Sequence, residues 1–339
     1  MSNPEKMEIT LKHYNNFDWM RLLLAVQVVA IHSGLFPTVF INPVPGFLAI
    51  TGFVVMGSIE RNPIKQFFIN RALRVLPTLL VSFVAIWIIF GHAESIKTIK
   101  YWLFPAGDIP INAVVWSLIY EEFFYAVTAI IFAFGLYRSN RTAIVLAIVF
   151  GLTAMLFAFP PGILRPAILL GAAFFLGNVA WKFQGLIRRI HPIIATVFFV
   201  VMLAFVFTLP YERVADPYRA GWDLLCFAAM LVFCIAGPRL PRVAMDLSYS
   251  LYLTHCIVRA FFIDTIPLGF DMFWRLLLIS LPICVASWYL IESPALSLKK
   301  KFRRDPLVNT HENKHADLPL TPMTDKAPQK GLEVRRQHD

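Results

Sequence analysis

Stretches of close to twenty apolar residues, broken by short polar connections, recur along most of the chain. A helix needs roughly 20 apolar residues to cross a hydrocarbon core about 30 Å thick. Windows of that kind predict helices near 17–36, 44–59, 72–90, 114–136, 142–159, 166–182, 192–209, 221–237, 246–264 and 272–292. The expected fold is all-α, a polytopic transmembrane bundle of about ten spans, an even number that leaves both termini on one side. The placement of Lys and Arg says which side. Lys6 and Lys12, then Arg61, Lys65, Arg71 and Arg74, then Arg138 and Arg141, then Lys182, Arg188 and Arg189, then Arg239 and Arg242, then Lys299 to Lys301 with Arg303 and Arg304 fall on alternate connections. That side, with both termini, is predicted to be cytoplasmic. The opposite connections, 37–43, 91–113, 160–165, 210–220 and 265–271, carry fewer cations, although Lys97 and Lys100 weaken the contrast in 91–113.

Residues 1–298 therefore read as one membrane-embedded domain. From residue 299 onward the chain is polar, with Pro and Lys and few large apolar residues, and cannot bury enough surface to fold alone. The segment 299–339 is predicted to be a disordered basic cytoplasmic tail. Its Lys299 to Arg304 cluster acts either as a topology signal or as a contact for anionic headgroups. Residues 1–16 are polar, and the first apolar stretch has no small-residue cleavage site before Pro37, so an uncleaved first anchor is expected.

Composition agrees with that reading: 58% of residues are hydrophobic and 15% charged, against about 45–50% and 25% in soluble domains. The net charge of +10 resides in clusters at span ends. Topology accounts for such clusters, so no nucleic-acid partner is expected. Cys226, Cys234, Cys256 and Cys284 all fall inside apolar segments, where thiols act as packing residues; neither a disulfide framework nor a metal site is expected.

Ionisable groups inside spans are costly and so mark function. Arg21 and His32 share the first predicted helix, eleven positions apart, which puts them about 16 Å apart along the axis and within about 20° of one face. Arg21 is suited to clamp a phosphate and His32 to take a proton from a hydroxyl; an anchoring arginine and a structural histidine are the simpler alternative. Glu121 and Glu122 enter the membrane within Trp116–Tyr125, about 8 to 13 Å inside the span. Adjacent residues point about 100° apart, so one of the two faces a pocket easily. A carboxylate against one imidazole nitrogen would orient His32 as a general base. Arg71 and Arg74, three positions apart on one helical face, join Arg21 in a basic cytoplasmic mouth for a nucleotide-bearing donor. His255 is a second deep histidine, in Ser248–His255, and Glu292 closes the last span near the cytoplasmic arginines.

Taken in order, these segments resemble the acyltransferase-3 family of integral-membrane O-acyltransferases, which modify O-antigen, exopolysaccharides and nodulation factors. The resemblance spans about Phe17 to Pro294. It rests on the Arg21/His32 spacing, a Phe-rich turn ending in Gly52, Arg-x-x-Arg-x-x-Pro (Arg71, Arg74, Pro77), Trp-Ser-Leu with Glu-Glu and Phe-Tyr (Trp116 to Tyr125), Ser-Tyr-Ser-Leu-Tyr-Leu-x-His (Ser248 to His255) and Glu-x-Pro (Glu292, Pro294). Where the family often has Val-Asp-Leu-Phe-Phe-x-x-Ser-Gly, this chain has Val44-Pro-Gly-Phe-Leu-Ala-Ile-Thr51-Gly52, without the acid and with Thr for Ser.

The resemblance implies a multi-pass protein of a bacterial inner (cytoplasmic) membrane. It implies acyl-CoA as co-substrate with no permanently bound cofactor, acetyl as the first expectation and succinyl next, and a glycan or glycolipid acceptor outside the cytoplasm. It also implies that Arg21, Arg71 and Arg74 meet the acyl-CoA and that His32 is the catalytic histidine. Tyr125 or Thr51 would donate to the developing oxyanion, and Glu121, Glu122 and His255 complete the candidate catalytic set. Two other classes fit the buried charges: a proton-coupled secondary transporter or flippase with intramembrane Glu and His, and a structural scaffold, in which those residues tolerate Ala.

Overall fold

The computed structural model describes residues 14–35, 42–157, 164–209 and 217–302. Among them there is helix and no strand. In chain order the helices are α1 (Asn15–His32), α2 (Pro43–Ile59), α3 (Ile64–Phe90), α4 (His92–Leu103), α5 (Trp116–Ala133), α6 (Asn140–Leu156), α7 (Leu164–Lys182), α8 (Gln184–Ile187), α9 (Pro192–Thr208), α10 (Pro217–Ala236), α11 (Ser248–Arg259), α12 (Phe270–Ser287), α13 (Ser293–Ser297) and α14 (Lys299–Phe302). Met1–Lys299 form one compact unit, and of the second, Lys300–Asp339, only 300–302 are described. Lys6, Lys12, most of the connections 37–43, 160–165 and 210–220, and the tail beyond 302 lie outside the described residues.

Each of the ten predicted apolar segments coincides with a described helix. Five helical stretches, Ile64–Phe90, Ala113–Ala133, Leu164–Lys182, Arg219–Ala236 and Phe270–Ser297, are long and apolar enough to cross a membrane, and Pro43–Ile59, Asn140–Leu156 and Pro192–Thr208 are apolar but shorter. Large side chains stand exposed along them, among them Leu80, Trp87 and Ile88 on α3, Val197 and Val201 on α9 and Leu278 on α12. Water would penalise such ridges, whereas lipid tails accept them, which makes this a membrane protein.

Local signals set the ends. Pro192 starts α9 in the first turn, where its missing N–H costs nothing. α1 ends immediately after His32 in a Schellman turn: Gly34 at φ 73° donates to Ile31 O, and Leu35 donates to Ala30 O, both at 3.0 Å. The Gly269 amide, donating to Ser33 O at 2.7 Å, ties that end to the start of α12. α2 and α7 pack backbone to backbone. A Cβ at Gly52 would collide with the Phe174 carbonyl, and one at Gly177 with the Ala49 carbonyl, the small-residue mode by which helices approach closely in membranes.

The connection 91–113 departs from expectation, because it contains α4. Ser95 and Thr98 face inward with Ile99 and Trp102, which pack beside Phe83 and Val115. Glu94 accepts the Ile111 amide at 2.6 Å and Ser95 donates to Phe83 O at 3.0 Å. The helix is amphipathic and short, so a search for continuous apolar windows passes over it.

Candidate functional site

An open cavity lies among α1, α2, α3, α5 and α11. Its lining includes Arg21, Arg71 and Arg74, with Tyr125 beside Arg71 and joined with Thr51 to Glu121, and also Ser117 and Tyr252. All three expected donor-binding arginines therefore meet one space, but in different electrostatic states. Arg74 is ion-paired to Asp246, whose carboxylate is also 3.7 Å from Arg21. Glu292 stands 4.0 Å from Arg74, and Asp18 3.5 Å from Arg21. Arg71 has no ion-pair partner among the described residues; its guanidinium lies over the rings of Phe67 and Tyr125, 5.9 and 5.8 Å from their centroids. An anion entering the cavity would find Arg71 uncommitted and the other two arginines held in place by carboxylates.

Asp246 is the hub of this arrangement. It precedes α11 and accepts from the Ser248 amide (3.3 Å) and hydroxyl (2.5 Å), so it also organises the start of that helix. Burial alone would push its carboxyl up. Arg74, then Arg21, then the bonds from Ser248 outweigh burial and hold it down at about 2. Lys299, beyond the last long helix, joins the basic mouth: burial, then the charges of Arg71 and Arg74, lower its ammonium to about 8.

The carboxylates diverge as adjacent helical positions must. Glu121 lines the cavity, while the half-buried Glu122 does not. Glu121 accepts from the Tyr125 hydroxyl and from Thr51 Oγ1 at 3.4 Å. Both hydroxyls expected to serve an oxyanion beside His32 are thus turned to Glu121 on the arginine side. Tyr125 lies nine residues into a helix that enters at Trp116, about 14 Å along the axis, and so it reaches the level of Arg71 instead of the end of α1.

His32 has a different partner from the one expected. Its Nδ1 is 2.7 Å from Nε2 of His255, and the rings stack at 5.0 Å with 13° between their planes. Neither Glu121 nor Glu122 is hydrogen-bonded to it. α1 packs along α11, and this brings together two histidines 223 residues apart in sequence. His255 is fully buried, and its Nδ1 faces the Leu251 carbonyl at 3.0 Å. Cys256 Sγ is 3.3 Å from His255 Nε2 and 3.9 Å from His32 Nδ1. The three potential ligand atoms lie within 4.8 Å of one another, a grouping that the cysteine spacing does not announce.

Neither histidine lines the cavity. Tyr252 stands between: it lines the cavity, its ring centroid is 6.3 Å from that of His255, and its hydroxyl bonds Ser117 Oγ and Val114 O, each at 2.8 Å. The site thus has a basic, open chamber and a histidine pair behind an aromatic wall. Sequence reasoning missed Asp246, Lys299 and Cys256. Asp246 carried one usable signal, an Asp two residues before the Ser that opens a helix.

Residues 14–292 match the acyltransferase domain of the acyltransferase-3 family. Among curated proteins the chain is similar to nodulation protein 10 of Rhizobium leguminosarum bv. viciae, 24% identical over 85% of this chain and 94% of that protein. It is also similar to the O-acetyl transferase of Shigella phage Sf6, 26% identical over 84% of this chain and 98% of that protein. No solved structure matches it significantly.

Proposed function

From the premise that the chain belongs to the acyltransferase-3 family and is an acyltransferase of groups other than aminoacyl, we propose that it moves an acyl group, acetyl first and succinyl next, from cytoplasmic acyl-CoA to a glycan or glycolipid hydroxyl outside the cytoplasm. The observation that carries this reading is the cavity lined by Arg21, Arg71 and Arg74, with Tyr252 between it and the His32–His255 pair. Acetyl transfer by the phage relative and the nodulation role in the name of the other agree with a saccharide acceptor.

In this reading the helices matching the ten predicted segments all span the inner membrane of a bacterium, with both termini cytoplasmic, because the cation-rich connections then share that side. Residues 1–298 are the catalytic domain and 299–339 a tail. α4 lies along the outer interface, its polar face to water. The diphosphate and ribose phosphate of CoA bind at Arg71, Arg21, Arg74 and Lys299, where forked guanidiniums suit them. The pantetheine arm runs along α1, which covers about 16 Å between Arg21 and His32. His32 removes the proton as the acceptor oxygen attacks the thioester carbonyl; the C–S bond breaks and the proton passes to the departing sulfur. No resident cofactor or metal is required for these steps.

The test is acyl-CoA supplied to purified protein with a saccharide acceptor, followed by CoA release and acceptor mass. Wild-type protein should release CoA only with acceptor present, and His32→Ala should lose at least about 100-fold in rate. Undiminished transfer by His32→Ala would refute the reading, and solute uptake by vesicles without CoA release would favour a transporter.

A further inference from the structure

The structure assigns to His255 the role of a positioning residue that fixes the tautomer of His32, so that His32 Nε2 is the nitrogen presented as base. The inference rests on the transfer reaction proposed above and adds to it which atom takes the proton and what holds it ready.

One chain of contacts fixes where the hydrogens lie. The Leu251 carbonyl can only accept, so His255 Nδ1, 3.0 Å away, carries a proton. In a fully buried neutral ring that leaves Nε2 with a lone pair. His32 Nδ1 lies 2.7 Å from that lone pair and must therefore be the donor. A neutral His32 then has its own lone pair at Nε2. Cys256 Sγ, 3.3 Å from His255 Nε2, is a weak donor at longer range and does not displace the N–H. The direction is thus set by a backbone carbonyl inside α11 and transmitted through two rings.

This device does what the carboxylate of a catalytic triad does for its histidine: it imposes the tautomer and the ring orientation. It differs in being uncharged, which suits a site with no carboxylate bonded to either ring. An unaided imidazole favours the opposite tautomer, with the proton on Nε2, where it could not accept one. Both ends are held firmly. The Schellman turn and the Gly269 bond to Ser33 fix His32 at the last turn of α1. His255 is packed within α11 beside Tyr252. A shared metal ion would be a different use of the same atoms, but two imidazoles on one tetrahedral zinc stand about 3.3 Å apart, wider than the 2.7 Å seen here.

Gln and Leu at position 255 separate the possibilities, since a Gln carbonyl reaches close to where Nε2 lies and can accept from His32, whereas Leu fills similar space without an acceptor. For His255→Leu the expected result is a fall in kcat of about 100-fold or more with KM for acyl-CoA within about twofold, and for His255→Gln recovery of most of that loss. Nitrogen NMR of histidine-labelled wild-type protein, with His32 assigned from the spectrum of His32→Gln, should show a protonated Nδ1 and an unprotonated Nε2. A His255→Leu enzyme with wild-type kcat, a Gln variant as inactive as Leu, or an Nε2–H tautomer at His32 would overturn the assignment. The NMR arm decides even where a variant does not fold. Full activity of His32→Ala would instead defeat the underlying reaction and leave the measured tautomer standing.

Discussion

Replacing Asp246 by Asn tests the electrostatic centre of the cavity. The carboxyl is held at about 2 in place of an ordinary 3.8, a gap of nearly two pH units, which corresponds to about 2 kcal/mol of stability at neutral pH. Breaking a buried pair by deleting one partner costs 3–5 kcal/mol where the survivor is stranded, but neither arginine is stranded here. The side chains of Arg21 and Arg74 remain 21% and 22% exposed, and Arg74 keeps Glu292 at 4.0 Å. The lower figure, about 2 kcal/mol, is therefore expected. Because the folded value lies below the unfolded one, the contribution is whole above about pH 4 and disappears as pH falls through about 2. Unfolding of the purified wild type and Asp246→Asn in the same detergent should differ by a constant amount from pH 8 to 5, and the difference should shrink to about a third of that by pH 2.5. A gap undiminished at pH 2.5, or none at pH 7, would refute the reasoning.

Three further outcomes are expected. Arg71→Ala, which removes the one cavity arginine without an ion pair among the described residues, should weaken acyl-CoA binding by about 10- to 100-fold with little change in unfolding; titration of the purified protein measures it. Lys299, lowered to about 8 beside Arg71 and Arg74, is charged below that pH and neutral above it. Acyl-CoA affinity should accordingly fall between pH 7 and 9.5, and Lys299→Gln should flatten that profile. Gly177→Val would drive a side chain into the Ala49 carbonyl and the Phe53 amide of α2; since backbone atoms yield poorly, a loss of about 3 kcal/mol or of folded yield in membranes is expected, whereas Gly185→Ala, with open space at its Cβ, should leave both unchanged.

The sequence by itself determined the features that depend on short stretches of chain. Helix positions follow from runs of apolar residues long enough to cross lipid, although the first window, 17–36, overran the turn at Gly34 where α1 ends at His32. The shared face of Arg21 and His32 and the divergence of Glu121 from Glu122 follow from helical geometry alone. The order of motifs carried the family. Tertiary structure decided every pairing between distant helices. It joined His32 to His255 across 223 residues and Arg74 to Asp246 across 172, and it turned Tyr125 and Thr51 toward Glu121. Helical periodicity says which way a side chain leaves its own helix, but not which neighbour the packing of α1 on α11, or of α2 on α7 through bare glycine backbone, will bring to meet it.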